Sequence, residues 1–257
     1  MSSLSSFKTG IRHLFHRDKR YGSLRSKLAR VGQFAPLTIL SPYYIEQKSR
    51  FNETIKAADY ARGRLLDIGC GSQPFKSYFV DRVELYLGLD ISNEEGVDIV
   101  ADALQLPFAS HSFDTVLCTQ SLEHVPDPDS VFREISRVLK NGGILILSAP
   151  MAWQLHCAPH DYYRFTHHAL LYLAKENSLT VEYIKSMRGF FATMGQLLNN
   201  EFIRLASFLP VVLLSPIFLL VNIVSLLLDR ISQRLPIDKL TLGYIMVARK
   251  EARNESQ

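Results

Sequence analysis

The residues of this chain that are best suited to chemistry stand directly after short apolar runs. Two glycines close the first run, and glycine lets the backbone approach a ligand closely because it has no side chain. A carboxylate closes the second run, where it can accept hydrogen bonds from both hydroxyls of a ribose. In chain order these residues are Asp67, Gly69 and Gly71, then Asp90, then Asp102, then Glu123 and His124.

The strands and helices that position these residues are predicted by an alternation of apolar patterns. The apolar runs predict strands at Arg64–Ile68, Leu85–Leu89, Asp98–Ala101, Phe113–Thr119, Ile144–Leu147, Thr180–Lys185 and Leu242–Ala248. Helical patterns between and before them lie at Tyr44–Ala61, Phe75–Val80, after Asp127 and at Thr166–Lys175. The alternation predicts a doubly wound α/β fold, in which ligands bind beyond the carboxyl ends of parallel strands.

One helix has clear predicted boundaries. Asp127 is a suitable N-cap and Pro128 suits the first helical position. Glycine accepts the left-handed conformation at low cost, so the Asn-Gly-Gly sequence at residues 141–143 is expected to end the helix.

The glycine loop favours one cofactor over another. A turn that binds a nicotinamide dinucleotide has the sequence G-x-G-x-x-G, and its third glycine opens a helix that carries the pyrophosphate. Here the loop runs from Gly69 through Gly71 to Pro74, so the third glycine is absent, and Asp67 adds a negative charge. That charge disfavours a pyrophosphate but suits the sulfonium and ammonium groups of S-adenosylmethionine (SAM).

Five sequence blocks carry a resemblance to a known family. They are LLDIGCG (Leu65–Gly71), GLDIS (Gly88–Ser92), ADALQLPFASHSFDTVLC (Ala101–Cys118), SLEHVPDPDSVFREISRVLKNGGILILSAP (Ser121–Pro150) and HDYYRFT (His160–Thr166). In this order they resemble the type-11 branch of class I methyltransferases, a group that includes ubiquinone and menaquinone methyltransferases. The resemblance covers about Gly63 to Lys185 and the last strand. It implies a Rossmann-like sheet of seven strands with the last strand antiparallel.

The resemblance also implies which residues hold SAM. The methionine end would follow the first strand, the ribose and adenine the second and third, and the methyl-transfer site the fourth. For the methionine end they are Asp67, Gly69 and Gly71, and for the methyl-transfer site the residue is Gln120. For the ribose and adenine they are Asp90 and Ile91 after the second strand, and Asp102 and Ala103 after the third. Taken singly, Asp67 could instead hydrogen-bond the loop backbone, and Asp90 and Asp102 could be turn-forming residues.

Two groups of polar residues are expected on the acceptor side of the site. A base is needed only if the acceptor loses a proton, as a hydroxyl would. His124 is interpreted either as this base or as a contact at a helix start. His160, Asp161 and Tyr162 follow the fifth strand, in a segment that is either an acceptor contact or a lid over the cofactor.

The sequence predicts no metal in this site. Some quinone-pathway relatives resemble the chain at Glu123 and His124 but have a further acid three residues earlier, where this chain has Gln120, a poorer ligand. His156 and His160 have helical spacing, but the proline between them argues against a continuous helix. The three cysteines lack CxxC spacing, which argues against a structural zinc site and against disulfides.

An uncharged apolar segment, Leu205–Leu228, interrupts the alternation. It is long enough to cross a bilayer, but one crossing would separate strands that belong to the same sheet. A shallow helical hairpin, broken near Pro210 or Pro216 and entering one leaflet, satisfies this constraint. The other interpretation is a buried cap over the active site or a dimer interface.

The positive charge of the chain is concentrated at its start. Eight lysines and arginines but one aspartate precede Pro36, whereas the whole chain has a net charge of +4. The leader and the apolar segment together predict attachment to an anionic membrane surface on the cytoplasmic side. The expected segments are a basic leader at 1–40, a methyltransferase core at 41–188, an apolar helical insertion at 189–238, the final strand at 239–250 and a polar tail at 251–257.

These features predict a SAM-dependent methyltransferase that acts at oxygen on a small or lipid-linked acceptor. A noncatalytic SAM-binding or scaffold protein would share every cofactor residue, and a nicotinamide oxidoreductase is the other alternative. A nucleic-acid substrate is not expected, because the chain after the leader is acidic and lacks an (N/D/S)-P-P-(Y/F/W) sequence after the fourth strand.

Overall fold

A seven-stranded sheet forms the centre of the computed structural model, which describes residues 38–206, 208–232 and 240–252. Most of the predicted basic leader lies outside these residues. The strands are β1 Arg64–Ile68, β2 Leu85–Asp90, β3 Ile99–Val100, β4 Phe113–Thr119, β5 Leu139–Pro150, β6 Leu179–Ser186 and β7 Gly243–Lys250. Their order is β3-β2-β1-β4-β5-β7-β6, with β7 antiparallel to both neighbours. The predicted fold with its antiparallel last strand is confirmed.

The central strands are buried on both faces of the sheet. Successive side chains of a strand point to opposite faces, so Leu65 and Leu66 of β1 enter different apolar clusters. Val116 and Leu117 of β4 divide in the same way, and all four side chains have no exposed surface. This explains why the strands read as continuous apolar runs rather than as alternating patterns.

Helices cover the two faces of the sheet. They are α1 Tyr44–Ala57, α2 Lys76–Phe79, α3 Pro128–Val138, α4 His167–Glu176, α5 Phe190–Leu205 and α6 Val211–Ser232, with 3-10 turns at Ala58–Tyr60 and Leu122–His124. The Thr166 side chain accepts the Ala169 N–H at 3.2 Å and caps α4. Satisfying a free backbone N–H in this way fixes where a helix begins.

Helix α3 begins where it was predicted to begin but ends earlier. The Asp127 side chain accepts the Ser130 N–H at 3.1 Å, and Pro128 is the first helical residue. The prediction that residues 141–143 end the helix was wrong. Leu139 is fully buried and already extended, because it pairs with Phe113 as the first residue of β5. Gly142, with φ at +73°, lies within that strand near a shift in its register.

The parallel register brings the carboxyl ends of three strands to the same edge. Asp67 of β1 is paired with Gly88 of β2 and with Leu117 of β4. The loops that follow these strands therefore begin within one residue of the same level. The predicted cofactor residues that follow one of these ends are Gly69, Gly71, Ile91 and Gln120. Asp90 is the last residue of β2, Asp67 lies inside β1, and the other two follow β3.

Helices α5 and α6 form the predicted hairpin between β6 and β7. Asp229 near the end of α6 accepts the N–H groups of Gly189 and Ala192 at the start of α5, at 3.3 Å each. The chain leaves the sheet after Ser186 and returns at Gly243, beside it in the paired strands. Of the two predicted break points, Pro210 lies between the helices and Pro216 lies inside α6.

Amide side chains hold this hairpin against the body of the protein. Asn199 Nδ2 donates to Asn222 Oδ1 at 2.9 Å, and Asn222 Nδ2 donates to the carbonyls of Ile39 and Ser41 at 2.8 and 3.0 Å. Both asparagines have no exposed surface. Buried amides of this kind are costly to leave unpaired, so they fix how the helices dock.

Replacing Asn222 by alanine should loosen the hairpin. The change leaves two buried carbonyls and one amide with fewer partners, at a cost of about 1–3 kcal/mol. Hydrogen exchange across residues 190–232 should become faster while the sheet keeps its protection. Leu220→Ala on the same helix is the matched control, because Leu220 is 65% exposed. Equal exchange rates in both variants would contradict the role given to Asn222.

Candidate functional site

The loop after β1 is held by backbone hydrogen bonds from the end of β2. The N–H groups of Gly69 and Cys70 both donate to the Leu89 carbonyl, at 2.8 and 3.1 Å. Gly69 has φ at +69°, and a Cβ atom there would lie 2.1 Å from Ser121 Oγ. A side chain is therefore excluded at this position by both conformation and space.

Asp67 is a buried carboxylate beneath this loop. It is 1% exposed, and its Oδ2 accepts a hydrogen bond from the Tyr86 hydroxyl at 2.5 Å. Its Oδ1 has no hydrogen-bond partner among the described residues. Burial raises the pKa of Asp67 to about 7, against the effect of the Tyr86 hydrogen bond and with a further contribution from Asp90. The carboxylate is therefore anchored at one oxygen and open at the other.

Asp90 joins the first and second loops at the end of β2. Its Oδ2 accepts the Gly71 N–H at 3.0 Å, and its Oδ1 accepts the Ser92 N–H at 2.9 Å. These two bonds fix the direction of the carboxylate. Ile91, beside it, is 68% exposed and uncovered. A Cβ atom at Gly71 would meet no atom within 4 Å, so open space lies beside this group.

Asp102 and Ala103 lie in a turn after β3. Asp102 is exposed, and its Oδ1 accepts the Leu104 N–H at 2.9 Å, as in an Asx turn. The Ala101 N–H donates to the Asp90 carbonyl at 3.0 Å, which brings this turn next to the end of β2. Ala103 is half-buried against the core. The turn-forming interpretation of Asp102 is compatible with a ligand role, because its second oxygen is not used in the turn.

Gln120 stands at the end of β4 and contacts β5. Its backbone N–H donates to the Ser148 carbonyl at 2.9 Å, and its side-chain Nε2 donates to Ser148 Oγ at 3.2 Å. Ser121 Oγ, next to it, donates to the Gly69 carbonyl at 3.3 Å. The ends of β1, β4 and β5 are thus joined around one opening. Ser121 and Ser148 were missed by sequence reasoning, because serine at a strand end is also a common turn residue.

Asp161 is a well-anchored member of the loop after β5. Its side chain is 3% exposed and makes a two-pronged ion pair with Arg164, at 2.7 and 2.9 Å. Burial would raise the pKa of Asp161, but the hydrogen bonds from Arg164 and from the His156 N–H outweigh burial and lower it to about 2. This carboxylate stays ionised and positions the loop, so it is a poor proton acceptor.

His160 and Tyr162 are exposed members of the same loop. His160 Nδ1 lies 3.1 Å from the Tyr162 hydroxyl, and Tyr162 is 46% exposed. The Tyr162 N–H donates to the Glu123 carbonyl at 2.9 Å, so the loop docks on the turn after β4. Both side chains are accessible to a ligand, which is compatible with the lid and with the acceptor-contact interpretations.

His124 and Glu123 lie where this docking occurs. His124 Nδ1 lies 2.6 Å from the His160 carbonyl, and a carbonyl can only accept, so Nδ1 carries a proton. Glu123 has no exposed surface, and neither carboxylate oxygen has a hydrogen-bond partner among the described residues. Burial raises the pKa of Glu123 to about 8.

A separate cavity of about 520 Å³ lies between α1 and β6. Three cations line it, Lys56, Lys185 and Arg188, together with Glu53. It contains none of the residues predicted to bind SAM or the acceptor, but it includes Gly189, from which α5 starts.

Comparison with known proteins identifies the part of the chain that carries the site. Residues 66–147 match the family model Methyltransf_11, described as a methyltransferase domain. A ubiquinone biosynthesis O-methyltransferase of Pseudomonas entomophila (strain L48) is 32% identical over 155 residues, which are 52% of this chain and 63% of that protein. The methyltransferase GfsG of Streptomyces halstedii is 34% identical over 102 residues, 33% of this chain and 37% of that protein. The chain thus spans less than two thirds of these relatives.

Solved structures share the fold at low identity. A SAM-dependent methyltransferase from Mesorhizobium loti aligns with a TM-score of 0.51 and 17% identity, covering 78% of this chain and 98% of that one. The [4+2]-cyclase SpnF aligns with a TM-score of 0.51 and 20% identity, covering 79% of this chain and 81% of that one. These likenesses show the fold alone, whereas the family match reaches the residues of the loops. Residues 66–147, which include most of the candidate site, are thus similar to type-11 methyltransferases, and the chain has the class I fold of SAM-dependent methyltransferases.

Proposed function

We propose that the protein transfers the methyl group of SAM to an oxygen of a small or lipid-linked acceptor at a membrane surface. The observation that carries the cofactor assignment is the pair of carboxylates around the glycine loop. Asp67 has an unpaired buried oxygen, and Asp90 is oriented by two backbone N–H groups beside open space. An acidic pocket without a third glycine suits a sulfonium ligand better than a pyrophosphate.

Each predicted residue has a part in holding SAM in this proposal. When bound, SAM supplies a methyl group on a positively charged sulfur, a reactive group that needs positioning more than activation. The methionine end would be held by Asp67, Gly69 and Gly71. The ribose and adenine would be held by Asp90, Ile91, Asp102 and Ala103, and the methyl-transfer site would be lined by Gln120.

On the acceptor side, a hydroxyl must lose its proton as its oxygen bonds to the methyl carbon. The imidazoles of His124 and His160 are the side chains of the predicted group that can take this proton. Tyr162 would contact the acceptor, and Asp161 would hold the loop through Arg164. The O-methyltransferase name of the Pseudomonas entomophila relative supports oxygen as the methylated atom.

The hairpin of α5 and α6 supports binding to a membrane, because many of its large apolar side chains are exposed. Its buried amides and Asp229, by contrast, make hydrogen bonds within the protein. Within the described residues, α6 is the one helix that is long and apolar enough to cross a bilayer by length and composition. Apolar patches of this extent mark membrane or partner surfaces. The large side chains of α6 that are more than half exposed are Val212, Leu213, Leu220, Leu227 and Ile231.

Charges near the hairpin indicate how it would lie. Glu201 and Arg204 form an exposed ion pair near the end of α5, close to the tip of the hairpin. Burying that pair in the centre of a bilayer would be costly, so the hairpin would lie along one leaflet rather than point into it. The cations of the cavity at its base, Lys56, Lys185 and Arg188, would then face anionic headgroups.

Asp90→Ala should weaken SAM binding by more than about 1 kcal/mol, roughly fivefold, because charge-assisted hydrogen bonds to the ribose are lost. Isothermal titration calorimetry with SAM measures the change, and thermal unfolding checks that the variant is folded. Glu95→Ala is the control, since Glu95 is an exposed carboxylate of the following loop. Wild-type affinity in folded Asp90→Ala protein would remove the ribose assignment.

SAM binding should become tighter as pH rises from about 5.5 to 7.5. The fold raises the pKa of Asp67 to about 7, so below that pH the carboxyl is neutral and offers no charge to the ligand's ammonium. The α-amino group of SAM itself titrates only above about 7.7. Calorimetry at several pH values should show affinity falling by up to about tenfold per unit below the pKa.

Two variants separate this effect from general acid sensitivity. Asp67→Asn should bind SAM weakly and with no dependence on pH in this range. Tyr86→Phe should move the midpoint of the dependence to higher pH, because the Tyr86 hydrogen bond lowers the pKa of Asp67. A pH profile that is unchanged in Asp67→Asn would show that another group titrates.

Vesicles that contain anionic lipid should bind the purified protein, and the outward face of α6 should be required. Leu213→Glu with Leu220→Glu places two charges on side chains that are 63% and 65% exposed, and flotation with vesicles should fall at least tenfold. The control is Val100→Glu with Tyr172→Glu, at side chains that are 53% and 63% exposed elsewhere. Equal flotation of the two double variants would contradict the membrane proposal. A dimer that is lost only in the hairpin variant would favour the protein-interface interpretation.

A further inference from the structure

Two histidines and a cysteine from distant parts of the chain meet beside the acceptor loop. The ligand atoms of His124, His156 and Cys157 all lie within 4.8 Å of one another. His124 comes from the turn after β4, and the other two come from the loop after β5. Glu123 adds a fourth donor, because its Oε1 lies 3.8 Å from His124 Nε2 and 4.0 Å from His156 Nε2.

Glu123 is the observation that points to a ligand. It is completely buried, and both of its oxygens lack a hydrogen-bond partner within the described part of the chain. The nearest guanidinium on the loop, that of Arg164, is committed to Asp161 and to three backbone carbonyls. An unpaired buried carboxylate is strongly unfavourable unless a cation or a proton compensates for it. Both neighbouring imidazole nitrogens are near, but at 3.8–4.0 Å they are too far to hydrogen-bond with it.

The Nδ1 atom of each histidine lies near an oxygen atom, but only that of His124 is hydrogen-bonded within the described residues. His124 Nδ1 is 2.6 Å from the His160 carbonyl, and His156 Nδ1 is 3.3 Å from Asp161 Oδ2. Asp161 is in turn held by Arg164. This leaves Nε2 of both rings turned towards Glu123. Protein metal sites commonly have a second layer in which a carbonyl or a carboxylate orients a histidine ligand, and the His160 carbonyl does this for His124.

We propose that Glu123, His124, His156 and Cys157 bind one divalent metal ion of the zinc type. Two imidazoles, a thiolate and a carboxylate are a donor set that zinc accepts in tetrahedral geometry. Zinc–ligand bonds of about 2.0–2.3 Å put tetrahedral donors roughly 3.3–3.8 Å apart, so donor–donor distances need to shorten by about 1.5 Å or less. Sulfur and nitrogen donors disfavour magnesium and calcium, which prefer oxygen.

This donor set differs from the one that the sequence excludes. The excluded site needs an acid at position 120, where Gln120 instead donates to Ser148. It also differs from the helical pair of His156 and His160, since His160 contributes only its backbone carbonyl, as an acceptor for His124.

A closed set of four protein ligands indicates a structural metal rather than one with an open catalytic position. The ion would fasten the loop of Cys157, Asp161 and Tyr162 to the end of β4. His124 would then be a ligand, and the role of proton acceptor in the proposed reaction would pass to His160. Metal binding itself does not depend on the proposed methyl transfer.

Metal content of the full-length, tag-free protein tests the site directly. The protein is stripped with a chelator, reloaded with Zn²⁺ or Co²⁺, and freed of loose metal by gel filtration before mass spectrometry of the metal. We expect one equivalent, together with the intense d–d absorption of tetrahedral Co²⁺ and a thiolate-to-Co²⁺ charge-transfer band. Retention of no metal, or the weak spectrum of octahedral Co²⁺ without the thiolate band, would overturn the proposal.

Variants assign the ligands one by one. His156→Ala and Glu123→Gln should each weaken Co²⁺ affinity at least tenfold in competition with a chromophoric chelator. Cys157→Ser should abolish the charge-transfer band while the protein stays folded by circular dichroism. His168→Ala is the control, because His168 is an exposed histidine on α4. Zn²⁺ should raise the melting temperature of the wild type and of His168→Ala but not of His156→Ala, and an equal rise in all three would overturn the proposal.

Discussion

The parallel alignment of β1, β2 and β4 is the constraint on which the rest of the structure depends. It places the ends of these strands at one level, where the Leu89 carbonyl receives two N–H groups of the glycine loop and Ser121 reaches the Gly69 carbonyl. Gly69 cannot carry a side chain there. Because those bonds fix the loop, Asp67 and Asp90 are held in fixed directions around an opening before any ligand is present.

Two carboxylates near the ends of β1 and β4 are buried, and their surroundings give them different properties. Asp67 has a hydroxyl donor at one oxygen and an open second oxygen, whereas Glu123 has no partner at either. Burial raises the pKa of both. A cationic ligand would stabilise the ionised form of each, which is why we connect the first with the sulfonium nucleoside and the second with a metal ion.

The hairpin of α5 and α6 obeys a separate constraint. It leaves and re-enters the sheet at neighbouring strands, so both of its ends stay on one side of any membrane. Its buried asparagines dock it on the protein, and many of its large apolar side chains stay exposed. Such an insertion leaves the loops after β1 and β2 undisturbed, because β6 and β7 lie at the far side of the sheet from β2.

The sequence by itself determined the fold of this protein and predicted candidate cofactor residues at the ends of its strands. Buried apolar runs, the N-cap at Asp127 and polar residues at strand ends are local patterns, and local patterns can be recognised one segment at a time. The boundary between a helix and the next strand was less predictable. At Leu139, pairing with Phe113 in the sheet ended α3 before the glycines at 142 and 143. Only the tertiary structure showed that His124 and Glu123 lie beside His156 and Cys157. The two loops are about thirty residues apart in the chain, and a contact over that distance has no characteristic sequence spacing. The tertiary structure also decided which face of the hairpin is exposed. The side of an apolar helix that becomes covered depends on where its few asparagines find hydrogen-bond partners.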